Sequence, residues 1–121
     1  MKIPTEHEEQ VAFVQWFEAQ HPAIRIFAIP NGDARHIAVA RRLKREGVRR
    51  GIPDLYIPAW KLWIEMKRTK GGSLSANQKE WIEYLNGLGD TVFVCRGCDE
   101  AIKQVSAFVN IPPASVEISY I

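Results

Sequence analysis

Apolar positions return along this chain at two spacings, and the switches between them mark out eight elements. From Thr5 to Gln20, Val11, Phe13, Val14 and Phe17 recur at helical spacing. Thr5 is a fair N-cap and Glu8, three residues on, completes a capping box, with Pro4 just outside. His21-Pro22 ends that helix. Ile24 to Ile29 reads as a strand, followed by the turn signal Pro30-Asn31-Gly32. A second helix spans Asp33, its N-cap, to Glu46, with Gly47 as the residue past the end. Its apolar side is Ile37, Ala40 and Leu43, with Val39 nearby. Two short runs, Leu55-Tyr56-Ile57 and Leu62-Trp63-Ile64, flank Pro58-Ala59-Trp60-Lys61 and form a β-hairpin folding at about residues 59–60. Ser75 caps a third helix, with Gln78 at the capping-box position and Trp81, Ile82, Leu85 and Leu88 as its apolar side. Gly87-Leu88-Gly89-Asp90 ends it. Thr91-Val92-Phe93-Val94-Cys95 has the unbroken apolar pattern of an internal strand buried on both faces. Asp99 is the expected cap of a last helix carrying Ala101, Ile102, Val105 and Phe108, which ends at Ile111-Pro112-Pro113. The tail from Val116 to Ile121 alternates like a strand and has no obvious partner in the chain, so it is expected at a sheet edge, of its own or of another subunit.

This order, α, β, α, β, β, α, β, α, predicts an α/β domain with a central mixed β-sheet flanked by α-helices. At 121 residues the chain reads as one domain, residues 1–121, able to bury its own core. No apolar run approaches the roughly 20 residues that cross a bilayer, and the polar, acidic start is not a signal peptide. The chain therefore reads as intracellular. Cys95 and Cys98 form a CxxC without a second pair, too few ligands for a structural zinc site. They read as two ordinary thiols near a strand end.

The chemistry concentrates on the hairpin. Asp54 opens its first strand, and Glu65 and Lys67 close its second. Residues two apart in a strand leave the same face, so Glu65 and Lys67 point together, and the fold of the hairpin brings Asp54 to them. Two carboxylates held together repel unless a cation sits between them. A hard dication such as Mg²⁺ suits them, and a neighbouring ammonium can orient a water or neutralise charge on a phosphate. Spacing alone equally allows a surface salt-bridge cluster. Net charge is only +2, but seven of the sixteen Lys and Arg fall between positions 35 and 50: Arg35, Arg41, Arg42, Lys44, Arg45, Arg49 and Arg50. This basic run leads straight to Asp54, as suits a polyanionic backbone. Arg35, Arg42, Arg49 and Arg50 are the expected DNA contacts, with His36 a further candidate. After Lys67, Arg68-Thr69-Lys70-Gly71-Gly72 makes a mobile basic loop able to close on a strand through Lys70. It lacks P-loop spacing.

Pro53-Asp54 followed by Glu65-Met66-Lys67 resembles the PD-(D/E)xK nuclease superfamily. The wider set is similar to its VRR-NUC branch: Gly47-Val48, Gly51-Ile52-Pro53-Asp54-Leu55, Glu65-Met66-Lys67 and Gly72 to Gln78. The resemblance implies a restriction-endonuclease-like core and a Mg²⁺- or Mn²⁺-dependent endodeoxyribonuclease. Asp54, Glu65, the Met66 carbonyl and a glutamate of the first helix would hold the metal. Glu6 takes that last role, with Glu9 as the alternative. Lys67 would serve the attacking water and Gln78 would support the site, although Gln78 is also explained as a capping residue. Asn31 falls beside the active site in such proteins, where its place in a turn is an equal explanation. Small stand-alone proteins of this type are typically bacterial or viral, cytoplasmic, homodimeric and active on branched DNA such as four-way junctions.

Overall fold

The computed structural model describes residues 2–30, 36–114 and 120. Its elements are α1 (Glu6–Gln20), β1 (Phe27–Ala28), α2 (Ile37–Arg45), β2 (Leu55–Ile57), a 3₁₀ turn (Pro58–Trp60), β3 (Leu62–Lys67), α3 (Ala76–Gly87), β4 (Thr91–Arg96) and α4 (Cys98–Val109). The sheet runs β1-β2-β3-β4, antiparallel across the first two pairs and parallel between β3 and β4. It is the mixed sheet expected. Leu55 faces Ile64 and Ile57 faces Leu62, and Lys61 takes a left-handed conformation (φ 49°) to close the hairpin.

The core follows from strand alternation. Leu62, Ile64 and Met66 point to one face of β3 and are fully buried with Ala12, Phe13, Trp16 and Phe17 of α1 and Ala101 and Val105 of α4. Glu65 and Lys67 point the other way, where the first turn of α3 meets them. The α1 capping box forms as read: Glu8 N–H donates to Thr5 Oγ1 at 3.1 Å and Thr5 N–H to Glu8 Oε1 at 2.8 Å. The buried face of α1 is rotated from the expected one. Ala12, Phe13, Trp16 and Phe17 are buried with Glu9, while Val11 and Val14 are only half-buried. The flat face of Trp16 fills more core than either valine could, and it sets the rotation.

Several elements differ from expectation. β1 covers only Phe27–Ala28 of the run from Ile24 to Ile29, and Ile29 N–H instead donates to the Asp54 carbonyl at 2.8 Å. α2 starts at Ile37, with His36 in the cap position and no side-chain cap bond. The expected cap Asp33 lies outside the described residues, as do Asn31 and Arg35. The end of α2 is as read: Gly47 (φ 102°) donates to Lys44 O and Val48 to Leu43 O, the paired bonds of a glycine-terminated helix. The apolar side of α2 is not core, however. None of its residues is buried, and Ile37 is 72% exposed. On α3 only Leu85 is buried and Leu88 is 62% exposed. β4 lies at the edge among the described strands rather than inside, and of its residues only Cys95 is buried. An apolar run reports cover above and below a strand, here by α3 and α4, and not how many strands flank it.

α4 is capped by Gly97, not Asp99, which lies in the first turn. Residues 115–119 and 121, the strand-like tail, lie outside the described residues. Just before them the chain returns to α1: Ala114 N–H donates to Gln20 Oε1 at 2.6 Å, and Trp16 Nε1 to Ala114 O at 3.3 Å. No described helix is long and apolar enough to cross a membrane.

Candidate active site

Asp54 is held from both sides, by the segment after β1 and by β3. Its backbone carbonyl is held by Ile29, and its Oδ2 accepts from Met66 N–H at 2.8 Å. The carboxylate thus takes over where the short β2 strand stops. A strand residue presents its N–H and C=O to the same neighbour, so the Met66 carbonyl also faces the Asp54 side. Lys67 O, one residue on, turns to β4 and accepts from Gly97 N–H at 2.9 Å.

Glu65 is essentially fully buried and Lys67 nearly so, with Lys67 Nζ 3.9 Å from Glu65 Oε2. Gln78 bridges them from α3. Its Nε2 donates to Glu65 Oε2 at 3.1 Å, while its Oε1 accepts from Lys67 Nζ at 3.2 Å and from Ser75 N–H at 2.8 Å. The two explanations of Gln78 are therefore compatible. One amide closes the capping box and ties the ammonium to the carboxylate.

Glu6 completes the group. One oxygen each from Glu6, Asp54 and Glu65 lie within 4.8 Å of one another. All three carboxyls are held above their ordinary range. Glu65 is pushed up to about 9, first by burial and then by the Asp54 charge and a hydrogen bond shared with it. Burial also raises Asp54, against the opposing pull of the Met66 N–H. Glu6 is raised by burial and by Asp54. Three oxygen donors converging in a protein interior, with one ammonium for partial relief, fit a hard divalent cation: neutralising them is what such an ion supplies.

Glu9, the alternative to Glu6, is engaged elsewhere. It is buried one turn along α1, and its Oε1 accepts from Cys98 N–H at 3.1 Å, in the first turn of α4. It serves as a cap supplied by another helix. The sequence alone could not tell the two glutamates apart, because both lie in an acidic first turn. Cys95 and Cys98 are buried and unbridged, and burial pushes both thiols up to about 12, so they are inert at neutral pH.

The basic candidates divide. Arg42 is exposed and paired with Glu46 at 3.6 Å. Arg49 Nη1 donates to the Lys44 and Val48 carbonyls at 2.8 and 3.2 Å and so ties the end of α2. Arg50 and Lys70 are exposed. The loop carrying Lys70 is held by a residue unremarked in the sequence: the Arg96 guanidinium donates to the carbonyls of Gly71 and Gly72 at 2.8 and 3.1 Å. The approach from α2 to the site is equally tight. At Gly51 (φ 90°) a Cβ would lie 2.6 Å from the backbone carbon of Asn77, so only glycine lets the segment before Asp54 press on α3. Beside this contact α2 and α3 enclose a groove of about 550 Å³. Arg41 and Lys44 of the basic run line it, together with Trp81, which the sequence placed on the apolar side of α3.

Comparison with known proteins agrees with this architecture. The family model for the VRR-NUC domain matches residues 4–99. A solved structure of a VRR-NUC domain protein superposes with a TM-score of 0.75 at 28% identity, over 99% of this chain and 100% of the other. No curated protein matches. A mixed sheet with Asp54, Glu65 and Lys67 at the open end of its hairpin, together with a match across most of its length, makes this chain a member of the VRR-NUC family of nuclease domains.

Proposed function

We propose that this protein is a metal-dependent DNA endonuclease of the PD-(D/E)xK type that cuts branched DNA, such as a four-way junction, as a homodimer. The observation that carries the reading is the convergence of Glu6, Asp54 and Glu65, with Lys67 held beside Glu65. The three carboxylates, with the Met66 carbonyl facing the same side, would hold Mg²⁺ or Mn²⁺. Such an ion supplies a more acidic water and stabilises negative charge on the phosphate oxygens.

The chain's own groups do the rest. Gln78 fixes Lys67 Nζ so that it points to the Glu65 side of the site, where it orients the attacking water. The water oxygen forms a bond to phosphorus and loses a proton to the solvent side, while the bond from phosphorus to the departing sugar oxygen breaks and that oxygen takes a proton from solvent. Burial, the Asp54 charge and a hydrogen bond shared with Asp54 favour the protonated Glu65 carboxyl, so that proton would be displaced when these carboxylates hold a cation. Arg50, Lys70 and the exposed basic face of α2 support phosphate contacts, which position a strand without reading its sequence. One such domain offers one active site. Symmetric cutting of two strands therefore calls for two copies related by a two-fold axis. The branched substrate is supported by the likeness to small stand-alone nucleases of this family.

The test is cleavage of labelled linear duplex, single strand and four-way junction in Mg²⁺, Mn²⁺ and EDTA, with Glu65→Ala as control. The expected result is metal-dependent cutting of the junction that Glu65→Ala abolishes. Lys67→Ala should also lose cutting, by a factor of about 100 or more, yet keep junction binding. Tight binding without cutting in either metal would leave a nucleic-acid-binding module, or a nuclease subunit that needs a partner, in place of a self-sufficient enzyme.

A further inference from the structure

The groove between α2 and α3 joins apolar and basic lining. Ile37, Val48 and Trp81 line it with apolar surface, and four basic residues, Arg41, Lys44, Arg49 and Arg50, stand around them. Among the described residues no acidic residue lines it and none of the four is ion-paired. Its volume, about 550 Å³, falls within the range of small-ligand sites. An aromatic face ringed by cations is how proteins hold an unpaired base, which stacks on the ring while its phosphates meet the charges.

The position of the groove adds to this. Asn77 lines it and directly precedes Gln78, the residue that joins Glu65 to Lys67. Arg50 lines it too, next to the Gly51 that presses on Asn77 and only four residues before Asp54. A strand whose scissile phosphate lies at the carboxylates therefore passes the groove within a short distance. A second copy of the chain is the less suitable occupant. Closing this face on itself about a two-fold axis would set the four cations of one copy against the same four of the other.

We propose that this groove receives an unpaired nucleotide next to the cleavage point, its base stacked on Trp81 and its flanking phosphates on Arg41, Lys44 and Arg50. The inference rests on the protein acting on nucleic acid and adds the preferred substrate: a strand that is single-stranded or frayed beside the cut.

The experiment measures binding in EDTA, where nothing is cut, to a paired duplex and to a duplex bearing a short unpaired branch, with 2-aminopurine in the branch. The wild type should favour the branched form and quench the probe on binding. Trp81→Phe, which keeps an aromatic face, should preserve the ratio of the two affinities. Trp81→Leu, which keeps apolar bulk without that face, should lower it about tenfold. An unchanged ratio in Trp81→Leu, or a wild type that binds both forms equally without quenching, overturns the proposal. So does a dimer in the wild type that becomes a monomer in Trp81→Leu, which would give the groove to a second copy. A wild type that binds neither DNA sinks the nuclease reading itself, a result distinct from the others.

Discussion

Glu65 carries the sharpest electrostatic consequence. With its carboxyl pushed up to about 9 in the fold against an ordinary 4.5, the folded state holds a proton that the unfolded chain releases. That proton contributes stability in full below the unfolded value and is lost as pH rises through the folded one. Asp54 and Glu6 shift in the same direction. Without divalent ions, thermal unfolding should occur at a lower temperature at about pH 8 than at about pH 5.5. Added Mg²⁺ or Mn²⁺ takes the place of the proton, so its stabilising effect should be larger at the higher pH, and Glu65→Gln should flatten both trends. An ion effect equal at the two pH values would count against a metal at these carboxylates. Which candidate residues come together was mostly legible at this scale. Asp54, Glu65, Lys67 and Gln78 meet because strand parity, a short turn and a capping box are all local rules. The choice of Glu6 over Glu9 was not legible. It depends on where the first turn of α4 comes to rest, 89 residues away in sequence.

Among the elements, local signals and packing have different reach. The capping boxes at Thr5 and Ser75 and the glycine end of α2 were legible because each is decided within a few residues. The surroundings of each face were not. Ile37, Ala40 and Leu43 recur at helical spacing whether they meet a core or a groove, and the run from Thr91 reads alike at an edge or inside. The junction between α2 and the hairpin shows how such packing is enforced. Gly51 lets the two backbones touch, and any side chain there meets the Asn77 backbone while taking an unfavourable φ. Gly51→Ala should cost about 3 kcal/mol, or roughly 10 °C in the midpoint of thermal unfolding. Its cutting of DNA should fall with the displacement of Gln78. A variant as stable as the parent would mean that the contact is loose.

For the molecule as a whole, charge is unevenly placed rather than large. A net +2 hides a basic helix and loop beside the acidic site, so an approaching strand is drawn to the carboxylates from one side. Binding to duplex DNA should weaken steeply with salt. Arg49→Ala with Arg50→Ala should make the logarithmic salt slope shallower by about 2, one phosphate for each arginine. Because Arg49 also ties the end of α2, unfolding should be followed in the same variant. An unchanged slope removes both from the DNA face. Overall topology was legible from element order alone, while the strand-like tail from Val116 falls outside the described residues.

α1 carries two carboxylates three residues apart that answer to different neighbours, Glu6 to the hairpin and Glu9 to α4. An apolar stripe is forgiving: slide a helix by about one turn and similar side chains refill similar holes. Two acidic groups bound to separate parts of the molecule allow no such slip. They fix both how far α1 is turned and how far it has advanced. The helix is indexed rather than merely packed, and a single residue inserted between them would force a choice between a finished carboxylate cluster and a finished last helix.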